Sequence, residues 1–180
     1  MRDKRALGDR IPSDERDEQH WEAVEEASEL LTERRFEEAL TELKRILDAD
    51  HQNPYAFNLL GNALYELNRL EPARDAYKAA TIVSPSFLGA RVSLSQVLRR
   101  LGDPDSAERE AREALKLFPR DGEAMHALGL ALAAKGKRGE ARRSLEGFLS
   151  TNPEFEAATE VRGILEMLGL GEEDEPLDVD

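Results

Sequence analysis

A 34-residue period constrains this chain more than any other feature. The segments RRFEEALTELKRIL, NRLEPARDAYKAAT, GDPDSAEREAREAL and GKRGEARRSLEGFL align on Ala39, Ala73, Ala107 and Ala141, in three successive steps of 34 residues. Pro85, Pro119 and Pro153 close units at the same step, and His51 stands where the first unit's proline would fall. A repeat of this length is one supersecondary unit. It cannot bury its apolar face alone, so neighbouring units must stack.

Each unit reads as two amphipathic helices. Phe57, Leu60, Leu64 and Leu67 recur at three- and four-residue steps, as do Leu70, Ala73, Tyr77 and Ala80; such spacing draws one apolar stripe along a helix. Asn68, Gly102 and Gly136 fall at the turn between the helices, where a residue tolerating positive φ is required. Pro72 and Pro104 sit in first turns of second helices, where a missing N–H costs little. Small residues (Ala27, Gly61, Ser95 and Gly129) recur on the first helices and are expected to face the aligned alanines where helix axes approach.

These features together resemble the tetratricopeptide repeat (TPR) family over residues 20–155. The resemblance implies an all-α, right-handed superhelix of about four TPR helical hairpins plus a C-terminal capping helix. The units run 20–53, 54–87, 88–121 and 122–155. Three departures stand out: Arg91 opens the third unit where Phe57 and Met125 stand in its neighbours, the first unit lacks the glycine and the proline, and Phe148 replaces the small residue at Ala80 and Ala114. Residues 156–170 carry one more apolar stripe, Ala158, Val161, Leu165 and Leu168, and read as the capping helix, with Phe148 packed beneath it. Residues 1–19 and 171–180 are charged and poor in apolar groups, so they are expected to be disordered.

Charge narrows the partners. The formal net charge is −13, which disfavours nucleic acid. The acidity is concentrated in residues 20–53 and 171–180, and the middle units are close to neutral. There are no cysteines, so disulfides, thiolate metal sites and cysteine nucleophiles are excluded. No apolar run of about 18 residues is present, so no membrane span is expected, and the chain reads as cytoplasmic.

No catalytic signature emerges. His20, His51 and His126 lie in separate places, and no HExxH, GxSxG or Gly-rich phosphate loop occurs. The reading is a non-enzyme with no catalytic residues, no metal and no cofactor. The resemblance implies instead a peptide-binding groove lined by the first helices. Mapping that wall onto this chain gives Trp21, Val24, Ser28 and Leu31, then Tyr55, Asn58, Leu59, Asn62 and Tyr65, then Val92, Ser93, Gln96, Arg99 and Arg100, and finally His126, Ala127, Leu130 and Ala133. Apolar pockets and amides suit an extended polypeptide. Arg99 and Arg100, beside Arg91, either grip an acidic group or complement the helix dipole. The acidic tail, GEEDEPLDVD, is a candidate competitor for those arginines. The lysine–asparagine clamp by which some TPR modules hold chaperone C-termini is not matched, since Asn58 and Ser93 occupy clamp positions.

The expected function is therefore a scaffold or adaptor. Its partner would be another protein, presenting an extended or helical segment with apolar and acidic groups. The alternatives are a cytosolic chaperone of secreted proteins, resembling TPR-type chaperones of type III secretion, and a self-associating structural component. A monomer or weak homo-oligomer is expected.

Overall fold

The computed structural model describes residues 15–169. The disorder expected of residues 1–14 and 171–180 lies outside the described residues. The described chain is all-α, with ten helices: α1 (Glu15–Glu22), α2 (Glu25–Thr32), α3 (Phe36–Ala49), α4 (Pro54–Glu66), α5 (Leu70–Val83), α6 (Leu88–Arg100), α7 (Pro104–Leu117), α8 (Gly122–Ala134), α9 (Arg138–Leu149) and α10 (Phe155–Gly169). Four hairpins follow one another: α2/α3, α4/α5, α6/α7 and α8/α9. Each packs on the next, and α10 covers α9. This is the stacked, solenoid-like architecture that the period dictates.

The turn chemistry explains why the hairpins are so alike. Arg34, Asn68, Gly102 and Gly136 all adopt positive φ, between 57° and 80°, and they too stand 34 residues apart. At each, two backbone bonds close the helix. Arg34 N–H donates to Leu31 and Arg35 N–H to Leu30; Asn68 and Arg69, Gly102 and Asp103, and Gly136 and Lys137 repeat the pattern. These paired bonds satisfy carbonyls that would otherwise be orphaned at the helix end. The first unit lacks a glycine, yet Arg34 adopts the same conformation. Asn53, Asp103 and Asp121 cap α4, α7 and α8, each accepting a backbone N–H three residues on.

The close crossings differ in detail from expectation. Ser95 Oγ donates to the Ala107 carbonyl at 2.8 Å, the expected small-on-small contact. At Gly61 and Gly129 the neighbour is a large side chain instead. A Cβ on Gly61 would lie 2.5 Å from the Tyr77 ring, and one on Gly129 would lie 2.6 Å from Leu145. The glycines make room for those side chains.

The N-terminal boundary also differs. Residues 15–19 belong to α1, so the expected disordered segment does not extend to residue 19. The first unit's opening helix is two pieces. Val24 N–H reaches back only three residues, to Trp21, and this local tightening separates α1 from α2. At the other end Phe148, 2 % exposed, shares a cluster with Val161, Leu165 and Leu168 of α10.

Candidate functional site

Much of the expected groove is buried. Trp21, Val24, Tyr55, Leu59, Val92 and Ala127 belong to the apolar core, and Asn58 is enclosed as well. The Trp21 and Tyr55 rings meet edge-on at 5.6 Å, and Tyr55 meets Phe87 at 5.3 Å. These rings join one unit to the next, and edge-to-face pairing gives that contact a fixed geometry. The buried positions present no free surface in this conformation.

The remaining positions form the accessible wall. Ser28 and Leu31 of α2, Asn62 and Tyr65 of α4, Ser93, Gln96 and Arg99 of α6, and His126, Leu130 and Ala133 of α8 are half-buried; Arg100 is exposed. Several are already engaged. Tyr77 Oη donates to Asn62 Oδ1 at 2.9 Å, and burial pushes the Tyr77 phenol pKa up. The Arg100 guanidinium stacks 4.6 Å above the Tyr65 ring and donates to Asn68 Oδ1 at 2.8 Å. Arg100 thereby ties the second unit to the third.

Arg91 does not join the other two arginines. Its Nε donates to the Pro85 carbonyl at 3.0 Å, and its guanidinium pairs with Glu110 at 2.9 Å. It is a brace between units. Arg99 has no hydrogen-bonding partner among the described residues.

His126 has an unusual setting. Its ring stacks on Phe148 at 4.8 Å and 22°. Its Nε2 is buried with no hydrogen-bond partner among the described residues, as is Asn58 Oδ1. Burial lowers the imidazole pKa; Glu123 and Glu160 oppose this and Arg99 reinforces it. The ring is therefore neutral at pH 7, with one nitrogen unpaired. An unsatisfied buried polar atom costs about 1–3 kcal/mol, a penalty that the folded chain carries at His126.

Two polar clusters have no counterpart in the sequence reading. Glu108 of α7, 8 % exposed, gathers Lys135, Lys137 and Arg112. Led by the Lys135 bond, these hold its carboxyl down to about 2. An opening of about 740 Å³ lies between α1 and the end of α3. Five of its polar residues are committed to each other or to their neighbours: His20 pairs with Asp50 at 2.7 Å, Asn53 donates to the His20 carbonyl at 2.8 Å, Arg16 bonds Gln52 and Arg45 bonds Glu42. Partners some 30 residues apart leave no local spacing to read, and only knowledge of the stack brings them together.

Among the described residues no group of three or more His, Asp or Glu side chains is arranged to hold a metal ion. No described helix is long and apolar enough to cross a membrane.

Two family models, each described as tetratricopeptide repeat, match residues 24–86 and 88–131. No curated protein matches. Among solved structures, MamA residues 41–end from Desulfovibrio magneticus RS-1 superposes with a TM-score of 0.73 at 18 % identity, covering 91 % of this chain and 89 % of that one. TTC0263, a thermophilic TPR protein from Thermus thermophilus, gives 0.67 at 25 % identity, covering 84 % and 81 %. YrrB, a TPR protein with an unusual peptide-binding site, gives 0.64 at 23 % identity, covering 83 % and 82 %. At these identities the likeness is one of fold.

Proposed function

The chain belongs to the tetratricopeptide repeat family and is a protein–protein interaction scaffold, and on that premise we propose that it is a non-enzymatic adaptor that holds a peptide segment of a partner along the wall of its first helices. One observation carries this reading. Arg99 stands on that wall, on α6, partly exposed and with no hydrogen-bonding partner among the described residues, and the half-buried His126 of α8 is close enough to feel its charge. Gln96 lies one turn before Arg99, and Leu130 one turn after His126, so polar and apolar contacts alternate along the wall.

That combination favours a segment with a carboxylate and an apolar side chain a few residues apart. The absence of cysteine suits a reducing cytoplasm, which we take as the site of action. YrrB, which shares the fold and has a peptide-binding site, supports a peptide as the class of ligand.

The test is capture. The full chain and a Gln96→Ala/Arg99→Ala variant are used as baits, and bound proteins are quantified by mass spectrometry. Both substituted side chains are half-exposed, so the fold is retained. Partners should be depleted from the variant. Equal recovery on both baits moves the site off this wall.

A further inference from the structure

The face built by the second helices carries a pocket of its own. It has a volume of about 310 Å³ and lies between the third and fourth units. Its floor is apolar: Leu115 of α7 with Met125, Leu128 and Leu132 of α8. Arg143 of α9 stands at the rim, exposed and with no hydrogen-bonding partner among the described residues. Phe118, 41 % exposed, adjoins the lining residue Pro119.

The repeat supplies its own control. Shifted back by 34 residues, Met125, Ser144 and Gly147 become Arg91, Glu110 and Glu113, and Pro119 becomes Pro85. In that earlier groove Arg91 reaches the Pro85 carbonyl and pairs with Glu110. Glu113 is near enough for Arg91 to help hold its carboxyl low, behind the larger effect of Lys116. An ion pair thus fills the groove between units two and three. One repeat later, all three plugging side chains are gone. Ser144 turns its hydroxyl to the Met125 carbonyl, and Gly147 leaves the Met125 sulfur 3.0 Å from where a Cβ would stand.

We propose that this unplugged groove is a second docking site, which takes an apolar side chain of a partner segment flanked by an aspartate or glutamate. The apolar floor selects the side chain, and the guanidinium of Arg143 selects the adjacent carboxylate. Arg112, the other arginine on the lining, is already engaged by Glu108 and Glu140, so the charge preference falls to Arg143. The site is separate from the first-helix wall, so one partner can be held there while another segment occupies the wall.

The experiment is selection of random dodecapeptides displayed on phage against the full chain, followed by anisotropy titration of synthetic winners. The decisive variant, Met125→Arg/Ser144→Glu, rebuilds the Arg91–Glu110 pair one repeat later and so draws on an arrangement that the fold already tolerates. Winners should place an apolar residue beside Asp or Glu, bind about tenfold more weakly to the double variant, and bind unchanged to Arg99→Ala. Arg143→Glu, a surface change, should abolish the acidic preference even if the double variant folds poorly. Winners indifferent to both variants overturn the proposal. It is also overturned if light scattering shows a dimer that the double variant disrupts, since the occupant is then a second copy. Winners that appear only after removal of residues 170–180 overturn it too, because they assign the pocket to the chain's own C-terminal segment.

Discussion

Substituting Gly61 by alanine should reverse the sign of its effect according to what stands at residue 77. The new Cβ would lie 2.5 Å from Tyr77 Cδ1 and Cε1 and 2.9 Å from Cζ. Carbon atoms rest at about 3.5–4.0 Å, so the ring must retreat by roughly 1 Å. It has little freedom, being 3 % exposed and anchored through its hydroxyl to Asn62. Overpacking of this kind costs about 1–3 kcal/mol, while replacing glycine by alanine inside a helix returns about 1 kcal/mol. The net expectation in the native background is a loss of up to about 2 kcal/mol. In a Tyr77→Leu background the pair becomes alanine over leucine, as with Ala27 and Leu43 in the first unit's core; the flexible leucine has to swing clear of the place that Leu145 takes under Gly129, which a rigid ring cannot do. There the helix-propensity gain should dominate, and Gly61→Ala should stabilise by up to about 1 kcal/mol. Urea unfolding followed by circular dichroism, over all four proteins of the double-mutant cycle, gives the coupling energy directly. A coupling below about 0.5 kcal/mol, or the same sign in both backgrounds, refutes the steric account.

The turns offer a second test: Arg34→Gly and Asn68→Gly should each raise stability by about 0.5–1 kcal/mol, and Gly102→Ala should lower it by about 1 kcal/mol, all read as shifts in thermal midpoint. Glu108 gives a pH test. Its carboxyl is held at about 2 in the folded chain, below its unfolded value, so its contribution is present above about pH 4.5 and is lost as pH falls towards 2. With its Lys and Arg partners still partly hydrated, that contribution is about 1–2 kcal/mol. Glu108→Gln should therefore be less stable at pH 7 and should lose less on acidification; parallel pH profiles would rule this out. At the wall, Gln96→Ala/Arg99→Ala should deplete captured partners without moving the melting temperature by more than a few degrees.

The hairpins were legible because their determinants are local and periodic. Alanines, turn residues and prolines recur at 34, and helix ends follow from them. The candidate wall was less legible. Helical phase puts Tyr55 and Asn58 on the same face as Asn62, but phase says nothing of what Trp21 and Phe87 cover. Arg91 was misplaced for a similar reason: its partners, Pro85 and Glu110, lie in different units. Contacts across the stack depend on how far each unit turns on the last, and no single repeat encodes that.

Phe148 lies under two neighbours at once, with the His126 ring on one side and α10 packed around it. A partner that engages His126 thereby presses on the residue over which the chain's last helix closes. Occupancy of the wall and attachment of α10 are then thermodynamically linked, and linkage runs both ways. Ligand should slow amide exchange in α10 without touching it, and loosening α10 should weaken the ligand. The last helix would in this sense report on a partner held at the wall.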